Sequence, residues 1–89
     1  EYAKELFETA IQYRPEFDEI IEKYSNGWKL NRIPKVNLSV LRLALCEIMY
    51  MNVPENVAIN EAVELAKKYS GKEDFSFVNG ILGSYSRSK

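Results

Sequence analysis

Val57-Ala58-Ile59-Asn60-Glu61-Ala62-Val63-Glu64-Leu65-Ala66-Lys67, followed by Phe77-Val78-Asn79-Gly80-Ile81-Leu82, set the architecture of this chain. In the first run Ala58, Ile59, Ala62, Leu65, Ala66 and, one turn on, Tyr69 recur at three- and four-residue spacing, the period of a helix with one face turned inward. Asn60, Glu61, Glu64, Lys67 and Lys68 fall on the other side, and Glu64 precedes Lys68 in the order that favours a helical ion pair. Asn56 suits the start of this helix, and Ser70 and Gly71 suit its close. The second run belongs to a last helix capped by Asp74, with Val78, Ile81, Leu82 and Tyr85 as its buried stripe. Gly80 and Gly83 each cost that helix about 1 kcal/mol against alanine, so they imply a close helix approach or an open surface. Residues 84–89 are expected to fray.

Upstream, Leu38, Val40, Leu41, Leu43, Ala44, Leu45, Cys46, Ile48, Met49, Tyr50 and Met51 are apolar almost all the way round a helix, which places that helix at the centre of the core. Asn37 is suited to cap it, and Asn52 and Pro54 to end it. From Trp28 to Val36 the pattern is irregular and contains Pro34, the mark of a link with one short helical turn, anchored by Trp28. Before the link, Tyr2, Leu6, Thr9, Tyr13, Phe17, Ile20 and Tyr24 form one helical stripe that runs past Pro15. Proline lacks the amide donor and clashes with the preceding turn, so a kink or a break into two helices is expected near Tyr13 and Arg14, the unbroken phase favouring a kink. Ser25, Asn26 and Gly27 supply the stop, with Gly27 in the left-handed region. No strand-period alternation and no internal repeat occurs, and the expected fold is an all-α domain of four or five helices over residues 1–89.

With 89 residues, 46% of them hydrophobic, the chain can bury one modest core. Its formal charge of −1 argues against strong unaided nucleic-acid binding, which depends on Lys and Arg neutralising phosphates. The charge is uneven: residues 1–22 are mainly acidic, whereas Lys23, Lys29, Arg32, Lys35 and Arg42 form a basic stretch whose simplest role is a solvated surface. One cysteine makes no internal disulfide, which leaves a cytoplasmic setting as the default, and no segment has the length of a bilayer span or the apolar core of a signal peptide. Without histidine the chain has no histidine-based triad and no Cys/His metal cluster, and its glycines form no phosphate loop; catalysis and a cofactor are not expected. Cys46, in the most apolar helix, reads as a small buried hydrophobe. Arg42 interrupts the same helix and needs a carboxylate partner; Glu61 is a candidate, whereas Glu47 lies about 140° away round the helix. Phe75 and Phe77 flank Ser76, so one aromatic ring is expected to face solvent, where it can stack a base, although packing of both in the core fits as well.

The two runs quoted above, together with Trp28, Leu30, Arg32, Val36, Leu41-Arg42-Leu43-Ala44, Glu47 and Tyr50, resemble the NusB family of bacterial transcription antitermination factors. The resemblance covers roughly residues 2–83 and implies that residues 1–27 correspond to that family's third helix and 28–89 to its C-terminal subdomain, without the arginine-rich N-terminal helices. It implies an RNA- and protein-binding adaptor that pairs with NusE, a small ribosomal-subunit protein, recognises boxA RNA and acts on RNA polymerase elongation. Carried over residue by residue, it puts NusE contact at Val36, Asn37 and Leu38, where relatives usually carry Asp or Glu in place of Asn37. It puts RNA beside Lys72, Glu73, Ser76 and Phe77, although relatives often have a basic residue where Ser76 stands. Arg42, Glu61 and Trp28 are structural in this reading. The alternatives are the RNA-positioning domain of an RNA cytosine methyltransferase, which the end of the chain soon after its last helix disfavours, and a self-associating helical domain. Exposure of the apolar stripe of residues 2–24 implies a homodimer of this fragment.

Overall fold

The structure, a computed structural model, describes residues 1–69 and 72–88, the side chains of 72–74 excepted. Among the described residues there are five α-helices and no strand: α1 (Tyr2–Gln12), α2 (Arg14–Tyr24), α3 (Lys35–Tyr50), α4 (Glu55–Tyr69) and α5 (Lys72–Arg87), with a 3₁₀ turn at Leu30–Arg32. As its nearly all-round apolar surface requires, α3 packs against every other helix. Val40, Leu41, Ala44, Leu45 and Cys46 are buried there, against Phe17 and Ile21 of α2 and Val78, Ile81 and Leu82 of α5. The Cys46 thiol is fully buried and held above its ordinary range, first by loss of solvation and then by the Glu47 carboxylate.

The stripe past Pro15 is broken rather than kinked. Tyr13 alone leaves helical geometry (φ −105°, ψ 17°), and Pro15 falls in the first turn of α2, where its missing amide leaves no bond unmade. Hydrogen bonds still bridge the break, from the Tyr13 amide to the Thr9 carbonyl (3.0 Å) and from the Phe17 amide to the Tyr13 carbonyl (3.3 Å). The stripe therefore keeps its side: Leu6, Tyr13, Phe17, Ile20 and Tyr24 all meet the core, joined by Ile21, while Tyr2 is half exposed. As expected, the helix gives way to a turn at Ser25, Asn26 and Gly27, the last two at φ 54° and 88°. The buried Ser25 hydroxyl donates across this turn to the Trp28 carbonyl (2.7 Å).

Several local expectations are corrected. Asn37 does not cap α3; the helix begins two residues earlier behind Pro34, whose carbonyl accepts from the Leu38 amide at 2.9 Å. Trp28 does not anchor the link, being 53% exposed; Ile33, 4% exposed, does. On α4 the inward line is Ala58, Ala62 and Ala66, whereas Leu65 and Tyr69 are exposed. Leu65 lies about 80° from the midline of Ala62 and Ala66, and alanines alone let the α4 backbone lie close to its neighbours. α5 begins before Asp74 and stays helical to Arg87, and its end does not fray: Ser88 Oγ lies 2.6 Å from the Tyr24 hydroxyl, and the Tyr24 and Tyr85 rings meet edge to face. Closure of α4 by Ser70 and Gly71 lies outside the described residues.

Candidate functional site

The first surface to which the sequence points is the start of α3. Val36 is 41% exposed, whereas Leu38, about 160° away round the helix, packs partly against the core. Asn37, between them in sequence, is 1% exposed, and its Oδ1 is a buried acceptor with no hydrogen-bond partner among the described residues. Val36 is thus open to a partner at this surface, and Asn37 is not.

The second surface is the first part of α5. Because the helix starts at Lys72, Phe75 and Phe77 both lie within it, on opposite flanks of the buried Val78, about 60° and 100° round the axis. Neither stands free in solvent; both are half-buried against the core. Lys67 Nζ sits 4.9 Å above the Phe75 ring, and Phe77 meets Trp28 edge to face at 5.9 Å. Ser76 between them is exposed. Of Lys72 and Glu73, only the backbone positions are described, in the opening turn of α5.

Arg42 is not paired with Glu61. Its Nε and Nη2 donate to Asp18 Oδ1 (2.7 Å) and Oδ2 (3.1 Å), a two-pronged bond between half-buried groups. The side chain leaves α3 towards α1 and α2, whereas Glu61 lies on the exposed face of α4. Asp18 escaped the sequence reading because local pattern does not tell which helix covers that side of α3. Two further bonds fasten the acidic first segment to α3: the Tyr2 hydroxyl donates to Glu47 (2.6 Å), and that of Tyr50 to Glu16 (2.8 Å). Each carboxylate pushes the phenol it receives up to about 12, the hydrogen bond being the main cause. Of the basic stretch, Lys23, Lys29, Arg32 and Lys35 are exposed, and Arg42 is spent on Asp18.

No group of His, Cys, Asp or Glu side chains among the described residues is arranged to hold a metal ion, and no helix there is long and apolar enough to cross a membrane.

Comparison with known proteins adds the lineage. The NusB family profile matches residues 1–87. Transcription antitermination proteins NusB from Thermoanaerobacter sp. (strain X514) and Acetivibrio thermocellus are 47% identical over 87 residues and 54% identical over 84 residues. These matches take in 98% and 93% of this chain but 62% and 58% of the relatives, so the chain spans roughly three-fifths of their length. The fold also matches a protein chain in a solved structure described as the crystal structure of a plectonemic RNA supercoil, with a TM-score of 0.90 and 35% identity, over 98% of this chain and 64% of that one. With the profile matched over nearly its whole length, on a helical framework that superposes this closely, the chain belongs to the NusB family.

Proposed function

We propose that this chain is the adaptor portion of a bacterial transcription antitermination factor, which pairs with NusE, recognises boxA RNA with it and so modifies elongation by RNA polymerase. The observation that carries this reading is the family match over residues 1–87, with relatives described as transcription antitermination proteins. Residues 1–27 stand for the family's third helix and 28–89 for its C-terminal subdomain, acting in the cytoplasm and without catalysis. NusE docks at the start of α3, at Val36, Asn37 and Leu38, and RNA passes the first part of α5, beside Lys72, Glu73, Ser76 and Phe77. The chain retains partner binding more than RNA binding, which its charge of −1 and the loss of Arg42 to Asp18 support. Calorimetric titration with NusE alone and then with boxA RNA alone tests this: heat of binding with NusE and little with RNA is expected, and no binding to NusE sinks the adaptor reading.

A specific observation also favours self-association. Phe7 and Ile11 on α1 are 65% and 61% exposed and border a cleft of about 290 Å³ with Leu43 of α3. A homodimer through this face is expected in light scattering at high micromolar concentration; a monomer there refutes it.

A further inference from the structure

α1 is held differently from the other helices. Among the described residues it is the one helix that buries no side chain. Leu6, Thr9 and Ala10 are partly covered, whereas Phe7 and Ile11 are exposed. Its seam with α3 is incomplete, because the cleft of about 290 Å³ runs between Phe7, Ala10 and Ile11 on one side and Ser39 and Leu43 on the other. Two side-chain bonds tie α1 to α3. One, from the Tyr2 hydroxyl to Glu47, is exposed; the other runs from the Cys46 thiol, a weak donor, to the Leu6 carbonyl at 3.8 Å.

The far side of the break at Tyr13 is fastened much more firmly. Tyr50 of α3 stacks on the Tyr13 ring at 4.2 Å, meets Phe17 edge to face at 5.9 Å and donates its hydroxyl to Glu16. Phe17 and Ile21 then sink fully into the core. A single residue outside helical geometry, with its ring clamped to α3, is a pivot between a loosely held helix and a tightly held one. α1 has 11 residues, fewer than the roughly 12–15 at which an isolated helix becomes even marginal in water, so leaving α3 and unwinding are one event.

We infer that α1 is a releasable strap: it leaves α3 and unwinds as far as Tyr13 while α2 to α5 stay folded, and its release uncovers the Cys46 thiol. Cys46 is the only cysteine of the chain and is fully buried, with the Leu6 carbonyl against its sulfur, so one thiol reports on the state of the strap. A contact that covers Phe7 and Ile11 adds to the docked state alone and therefore holds the strap shut.

The test is native-state hydrogen exchange on the whole chain at low urea, paired with the rate at which an aromatic disulfide reagent labels Cys46. Amides of residues 6–12 are expected to exchange at least about ten-fold faster than those of Val78, Ile81 and Leu82, with weaker dependence on urea, and Cys46 should share the protection of α1 rather than that of α5. Ile21→Val trims a side chain that stays buried when α1 opens, so it should speed exchange in α5 about five-fold, the effect of one buried methylene, and leave α1 unchanged. Leu6→Ala weakens the docked state and should speed the labelling of Cys46 about ten-fold, the effect of losing roughly half of one leucine's burial. Equal protection and equal urea dependence in α1 and α5 overturn the strap, as does an Ile21→Val change that speeds α1 along with α5. Labelling of Cys46 that Leu6→Ala leaves unchanged overturns it too, because α1 is then not the cover. Amides in α1 with no protection at all also overturn it, since no docked strap then exists.

Discussion

Replacing Asp18 with asparagine removes one charge from the Arg42 pair while keeping its shape, and the cost follows from burial. Breaking a fully buried ion pair costs about 3–5 kcal/mol, whereas an exposed pair contributes about 0–1 kcal/mol. Both side chains here are 18% exposed and joined by two short bonds, so the expected loss lies between these limits, at about 2 kcal/mol. For a domain of this size that lowers Tm by about 8–16 °C. Arg42→Met keeps the apolar stem and should cost a similar amount, and the double variant should cost less than the sum by about 1 kcal/mol, because each single change leaves the other group unpaired. Glu61→Gln, on the exposed face of α4, should stay within about 0.5 kcal/mol of the parent. Urea unfolding followed by circular dichroism measures all four. Additive single changes, or a Glu61 variant as costly as the Asp18 one, would refute the assignment of Asp18 as the partner.

Alkaline titration should divide the six tyrosines. Tyr2 and Tyr50, held at about 12 by their carboxylates, bind their protons more tightly when folded than when unfolded. The stability they contribute is therefore complete below pH 10 and is lost as pH rises through about 12. Near-ultraviolet absorbance should show a late phase that shrinks in Tyr2→Phe and Tyr50→Phe; a single phase near the ordinary tyrosine value with the helices intact would count against both bonds. Asn37→Leu removes a buried acceptor that has no partner, so the urea midpoint should rise, by about 1 kcal/mol in stability, and a clear fall would mean that Oδ1 is satisfied. Ala62→Leu forces bulk into the close approach of α4 and should cost about 1–3 kcal/mol; a neutral result would mean that α4 packs more loosely than its alanine line indicates.

Helix number, the centrality of α3 and the burial of Cys46 were legible in the sequence because each rests on many residues in phase. What escaped were features that rest on one residue and its tertiary neighbour. A proline at position 15 permits a kink or a fresh helix start, and only the geometry of Tyr13 selects the second. A good cap residue at 37 lost to Pro34, since a cap competes with every neighbouring start and the winner depends on what must be buried. Arg42 announced the need for a partner, yet its choice between Asp18 and Glu61 turned on which helix covers that side of α3. At the candidate site Phe77 was legible, whereas the far end of α5 was expected to fray and instead stays helical to Arg87. The contacts that hold that tail, Tyr24 with Tyr85 and Ser88, join residues some sixty apart, beyond the reach of local pattern.

The placement of the cations bears on how strongly the proposed adaptor would hold RNA. Of the basic stretch, Arg42 is neutralised by Asp18 within the fold, which leaves Lys23, Lys29, Arg32 and Lys35 at the surface. Arg87, exposed in the last turn of α5, adds a fifth. If all five of these cations met phosphates, log affinity would fall with log salt at a slope no steeper than about 3.5, at roughly 0.7 for each contact with a single strand. A set of this size would support only weak binding at physiological salt. If the chain is the adaptor proposed above, it would gain its hold on RNA by being bound to a second protein, because tethering turns a weak contact into an intramolecular one without adding any residue.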